Sequence, residues 1–122
     1  MITTKLKTIV NAREAVGRLA GQVLPVSVSY RVAKLVNAMN EELRVYEAER
    51  VKVCEKCGTL NEAEGKYIID KGEEFNRELS SLLDMQVELN VEKVTLPDML
   101  NITPHDIIAL EDFVQIAGVT DD

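Results

Sequence analysis

A chain of 122 residues has room for one domain with a modest core, and with no Trp and few other aromatics that core must come from Val, Leu, Ile, Ala and Met. The formal net charge is −7, and the basic residues alternate with acids instead of forming one basic face with interleaved aromatics, which argues against a nucleic-acid binder. No apolar run is long enough to span a bilayer and the first residues lack the apolar core of a signal peptide, so the expectation is a single helix-rich domain over residues 1–122, cytoplasmic, with reduced thiols and no membrane contact.

Charge is unevenly distributed along the chain. Residues 1–56 hold ten Lys or Arg against six Asp or Glu, and residues 57–122 hold four against fifteen. Halves of opposite sign can attract each other within the fold or head-to-tail between subunits; the plainer alternative is that the acids coat solvent faces.

Thr3 or Thr4 is a suitable cap for a first helix, whose apolar face holds Leu6, Ile9, Val10, Val16 and Leu19. Gly21 is a natural stop, since it can adopt the left-handed conformation that ends helices. Val23-Leu24-Pro25-Val26 then reads as an extended link, and Ser27 as the next cap.

From about Ser27 to Cys57 the chain has no Pro and no Gly, and Val32, Val36, Met39, Leu43, Tyr46, Val53 and Cys57 recur at alternating spacings of four and three. Only Arg50 breaks this register. The spacing predicts one helix of about 45 Å with a continuous apolar stripe. Glu41 with Arg44 and Glu47 with Arg50 sit three apart, acid first, and support its exposed surface.

Gly58 ends the long helix, TLNEAEG is turn-like, and Lys66–Ile69 reads as a short strand or an extended arm. A helix is expected from Asp70 or Lys71 to Asp84, with Phe75, Leu79, Leu82 and Leu83 inward, antiparallel to the long helix. Val87, Leu89 and Val91 alternate with polar residues and Val94 and Leu96 continue the pattern, predicting one bent strand or a small hairpin. The last helix has the clearest start: Thr103 as cap, Pro104 at the first position, Asp106 three residues after the cap. Its expected apolar face is Ile107, Leu110, Val114 and Ala117, with Ile108 and Phe113 beside it, Gly118 as its end and a frayed tail Thr120-Asp121-Asp122.

Candidate chemistry is sparse. Cys54-Glu55-Lys56-Cys57 resembles half of a zinc site, but zinc commonly takes four ligands and the lone His105 lies far along the chain. A redox pair would favour a helix start, whereas these thiols sit at a helix end. His105 reads as a polar first-turn residue. The acid pairs Glu111-Asp112, Glu73-Glu74 and Glu41-Glu42 are adjacent, so their carboxylates point to different sides of a helix. No phosphate loop, nucleophile elbow or carboxylate ligand spacing occurs. No catalytic, cofactor-binding or metal-binding residue is assigned, and no cofactor is expected.

In order along the chain come NAREAVGRL, LPVSVSYRVAKLVNAMNEEL, the turn Glu55-Lys56-Cys57-Gly58, KYIID, FNREL, VELNVEKVTL and ITPHDIIALEDFV. Together they resemble a group of small uncharacterised proteins of tailed phages and prophages of Gram-positive bacteria. The resemblance spans nearly the whole chain on apolar and turn patterns. It implies a viral origin and a helix-rich fold, and carries no active site. In that group the residue before the turn glycine is commonly aromatic; here it is Cys57.

The expected fold is α+β, mainly α: a long central helix in an antiparallel helical arrangement with a short strand or small hairpin. The expected function is a non-catalytic phage-encoded binding protein, a homo-oligomer directed at the host, which inhibits a bacterial defence system by capturing a protein or small ligand. The alternative is a virion-assembly factor or chaperone, with a small enzyme or nucleotide binder behind both.

Overall fold

A computed structural model describes residues 1–98 and 100–117. The chain runs β1 (Ile2–Lys5), α1 (Leu6–Ala20), α2 (Val26–Cys57), β2 (Gly58–Asn61), β3 (Lys66–Ile69), α3 (Gly72–Leu83), β4 (Gln86–Leu89), β5 (Val94–Leu96), α4 (Pro104–Leu110) and β6 (Val114–Ile116). The architecture is α+β and mainly α, built on the 32 residues of α2, about 48 Å of helix.

Both flanking helices run back along α2. Leu6 at the start of α1 lines the same depression as Val45 and Tyr46 of α2, while residues 21–25 join the other ends. Likewise Glu74 and Glu78 of α3 reach Lys56 near the end of α2, and Leu82 lies beside Val45 and Glu49. Apolar burial drives this packing, but unequally along the helix. The main core joins α1, the proximal half of α2 as far as Leu43, and the strands and helix that follow Gln86. Beyond Leu43, the buried residues of α2 are Tyr46, Cys54 and Cys57, next to β2, β3 and α3.

The buried seam of α2 is Val32, Leu35, Met39, Leu43, Tyr46, Cys54 and Cys57. Leu35 is wholly buried, whereas its neighbour Val36 is half-buried. A true 3.6-residue turn drifts against a strict three-and-four repeat, so the seam takes Leu35 and Cys54 where that repeat selected Val36 and Val53. Arg50 sits half-buried in the break and donates to Glu47 at 3.1 Å.

Several boundaries differ from the sequence expectation. Thr3 and Thr4 lie in β1, which pairs antiparallel with β4 in the register Ile2↔Leu89 and Thr4↔Val87. The β-branched, alternating Ile-Thr-Thr-Lys suits a strand, and the Thr4 hydroxyl donates to Asp112 at 3.0 Å instead of capping a helix. Gly21 does end α1, but in the right-handed region with φ −83°. Helix α2 begins at Val26, one residue before Ser27: the Pro25 carbonyl accepts the Ser29 N–H at 2.8 Å.

Residues 87–96 form two strands with different partners: β4 joins β1, and β5 lies parallel to β6 in the register Val94↔Val114 and Leu96↔Ile116. The observed hairpin is β2–β3, with Gly58↔Ile69 and Asn61↔Lys66. Gly58 is extended there, and a Cβ on it would lie 2.3 Å from the Ile68 carbonyl oxygen, so close backbone approach requires glycine. Gly65 closes the turn at φ +67°.

At α4 the Thr103 hydroxyl accepts the Asp106 N–H at 3.2 Å, as the capping pattern predicts. The helix nevertheless stops at Leu110, and Val114 belongs to β6. Its inward side is Asp106 and Leu110, followed by Phe113, while Ile107 and Ile108 are 41% and 67% exposed. The expected end at Gly118 and the tail Thr120–Asp122 lie outside the described residues.

Candidate interaction surface

Exposed apolar side chains occur on several parts of the molecule, and where α2 outruns the main core they are Val45, Val51, Leu60, Ile68 and Met85. Helix α3 is strongly amphipathic in sequence, GEEFNRELSSLL, yet none of its residues is fully buried. Phe75, Leu79, Leu82 and Leu83 face α2 and remain half-exposed. Twelve residues of helix and a hairpin of two four-residue strands cannot enclose the last four turns of α2 on all sides. Met85 beside α3 is 56% exposed, Val45 on α2 is 51% exposed, and Leu60 and Ile68 on the hairpin are 45% and 57% exposed.

A shallow groove of about 280 Å³ runs between α2 and the end of α3, lined by Leu6, Val45, Tyr46, Leu82, Met85 and Val87, with Glu42 and Glu49 at its edge. A second depression of about 440 Å³ opens beside the hairpin, over Arg50, Val51, Cys54, Tyr67, Ile69 and Phe75. Leu60 and Ile68 lie on opposite faces of the hairpin, since Leu60 is paired with Tyr67 and Ile68 with Thr59, so the apolar groove beside Val45 and Met85, rimmed by Glu42 and Glu49, is the better candidate for a protein-docking face. Ion pairs hold the distal part in place: Lys56 contacts Glu78 at 2.7 Å and Glu74 at 3.5 Å, and the Tyr67 hydroxyl donates to Glu55 at 3.2 Å. Lys56 is held above its ordinary value and Glu78 below it, each by the hydrogen bond to the other. These groups are solvent-exposed, so they orient α3 more than they stabilise it.

The residues weighed for chemistry do not converge. Cys54 and Cys57 are free thiols, both buried under the hairpin and α3. Burial pushes the Cys57 thiol up, and the nearby Glu74 carboxylate adds to the rise, which disfavours the thiolate that redox or metal chemistry uses. His105 is exposed in the first turn of α4. Glu111 and Asp112 diverge: Asp112 accepts from Thr4, and Glu111 is exposed. Among the described residues, no group of three or more His, Cys, Asp or Glu is placed to hold a metal ion, and no helix is long and apolar enough to cross a membrane.

One buried polar contact escaped the sequence reading. Asp106 is 6% exposed and accepts two hydrogen bonds from Arg18, at 2.8 Å from Nε and 2.6 Å from a terminal nitrogen. The guanidinium holds the Asp106 carboxyl below its ordinary range, against an opposing push from desolvation. This bidentate pair fastens α4 to α1. In the sequence Asp106 reads only as a first-turn acid, and an Arg 88 positions away leaves no local signal.

Comparison of the chain with protein-family models, with curated proteins and with solved structures finds no match.

Proposed function

We propose that this is a non-catalytic binding protein of phage or prophage origin that works as a homo-oligomer in the host cytoplasm and captures a host protein, inhibiting a bacterial defence system. The observation that carries the binding reading is the apolar groove where Val45 and Met85 stay exposed beside a helix that buries none of its residues completely. Dispersal of the cysteines, His105 and the acid pairs over separate parts of the fold supports a role without catalysis. The likeness to small phage proteins supports the viral and host-directed setting.

The test is affinity capture from infected host cells, with the natural protein compared against Met85→Glu and Val45→Glu, both of which line the groove. A host protein retained by the natural chain and lost from both variants is the expected result. Recovery of virion components instead would replace the host-directed reading with virion assembly. Identical recovery by all three proteins would remove the distal surface from the account.

A second reading, capture of a small anionic ligand, is favoured by a different region. Arg31, Lys34 and Lys93 line an open depression of about 530 Å³ together with Asn90, Val91 and Glu92. The Glu92 carboxylate there also accepts from the Met1 ammonium at 2.7 Å. Calorimetric titration with nucleotides tests this reading, and absence of heat at millimolar ligand would reject it.

A further inference from the structure

Arg50 is the residue that interrupts the apolar repeat of α2. Tyr46 lies one turn before it and Cys54 one turn after, and both are buried, so residue 50 occupies the seam itself. An apolar side chain there would continue the seam beneath the hairpin and α3. The arginine is instead half-buried, its side chain 40% exposed, and it lines the depression of about 440 Å³ beside the hairpin. Val51, Ile69 and Phe75 supply apolar wall from three different elements, and Lys66 and Tyr67 of β3 complete it.

The protein itself uses little of this guanidinium. Its Nε donates to Glu47 at 3.1 Å, on the same helix. Among the described residues, its two terminal nitrogens have no hydrogen-bond partner. Glu47 also accepts from Arg13 at 3.2 Å, so one carboxylate is shared between two guanidinium groups. Lys66 is exposed and makes no ion pair among the described residues. Glu55 is engaged by the Tyr67 hydroxyl at 3.2 Å, and Glu62 and Glu64 of the turn are exposed and do not line the depression. The depression therefore presents positive charge against apolar walls, in a chain whose formal net charge is −7. An arginine fork with free donors matches the two oxygens of a carboxylate. Aliphatic and aromatic walls match an apolar body rather than a hydrated one.

We propose that this depression binds a small amphiphilic carboxylate, its head on the outer nitrogens of Arg50 beside Lys66 and its alkyl or aromatic body against Val51, Ile69 and Phe75. The volume falls within the usual range for small-molecule sites, roughly 300–1,000 Å³. A half-buried cation is screened less than a surface one, so the head contributes more here than an exposed ion pair does. The site shares no lining residue with the groove beside Met85, and it stands whether or not that groove docks a protein. Because its walls come from α2, β3 and α3, an occupant ties the hairpin to both helices and slows amide exchange across residues 58–69.

The test titrates the full chain with octanoate while backbone amide resonances are followed, with acetate and octan-1-ol as controls for charge alone and chain alone. The expected result is saturable shifts at residues 50–54, 65–69 and 75 with octanoate, and with neither control at equal concentration. Arg50→Leu restores an apolar residue to the seam, so it should keep or raise the melting temperature. It should also weaken octanoate binding at least about tenfold, the loss of a charge-assisted hydrogen bond. Arg50→Gln keeps a polar side chain without the charge and should weaken binding likewise, which preserves the test should the leucine variant fail to fold. Absence of saturable shifts would overturn the proposal, as would equal shifts with octan-1-ol or undiminished binding by a folded Arg50 variant. Shifts centred on Arg31, Lys34 and Lys93 would overturn this site in favour of the other depression.

Discussion

Leu35 offers the sharpest test of how α2 is seated, because it is wholly buried while the adjacent Val36 is half-exposed and belongs to the more regular apolar repeat. Leu35→Ala removes three carbons from the main core between α1 and the later strands. At about 0.8 kcal/mol per buried methylene the lost transfer energy is about 2.4 kcal/mol. The unfilled void adds to this, bringing the expected cost to roughly 3–4 kcal/mol, inside the range for buried Leu truncations. For a domain of this size the melting temperature should fall by roughly 10–20 °C. Val36→Ala removes two half-exposed methyls and gains helix propensity, so its net cost should stay below about 1 kcal/mol. Thermal and urea unfolding followed by circular dichroism would measure both. Equal losses, or a larger loss for Val36→Ala, would mean that α2 is rotated relative to the seam described.

Gly17→Ala should stabilise by about 0.5–1 kcal/mol, since Gly17 is helical and a Cβ there meets nothing within 4 Å; a destabilised variant would contradict the open surface at that position. Gly58→Ala should loosen the β2–β3 hairpin, seen as faster amide exchange across residues 58–69, because its Cβ would collide with the Ile68 backbone; unchanged exchange would refute the close approach. Asp106 has a folded-state pKa below its unfolded value near 3.9, so its stabilisation is complete above about pH 4 and is lost as pH falls through the lower folded value. Asp106→Asn should flatten the acid limb of a stability–pH curve, and an acid limb as steep as the natural protein's would dismiss the Arg18 contact. Cys54 and Cys57 should react with a thiol reagent far more slowly in the native protein than in denaturant, and protein purified without added zinc should carry well under one equivalent. Rapid native labelling, or stoichiometric zinc whose removal unfolds the chain, would overturn that.

Long amphipathic segments are legible in the sequence. The run from Ser27 to Cys57 contains enough turns for its periodicity to outweigh local accidents, and α3 and the start of α4 carry their own signals in Phe75–Leu83 and Thr103-Pro104. Of the short strands, Lys66–Ile69 and the alternating stretches at Val87–Leu89 and Val94–Leu96 carry a local signal, whereas β1, β2 and β6 do not, because a strand of three or four residues is decided by a partner that local pattern cannot name. β1 needs β4, more than eighty residues away, and β6 needs β5. Val114 misled for a related reason: it stands four residues after Leu110, which fits a helix, but Val114-Gln115-Ile116 also alternates and finds Val94-Thr95-Leu96 alongside. The distal apolar surface was half legible. Excess length of α2 was apparent from Ser27–Cys57, whereas which side stays bare depends on how little of it α3 and the hairpin cover.

The pairing of β1 with β4 also dictates when this protein can finish folding during synthesis. Ile2 and Thr4 leave the ribosome more than eighty residues ahead of Leu89 and Val87, the residues they pair with. Closing a loop of some eighty residues costs about 4 kcal/mol of chain entropy beyond a constant, which local helix formation in α1 and α2 cannot repay alone. The nascent chain must therefore carry the apolar faces of α1 and α2 uncovered until β4, β5 and finally β6 emerge to close the core. A ribosome stalled before residue 86 would hold a chain with both long helices available but their shared core still open to water.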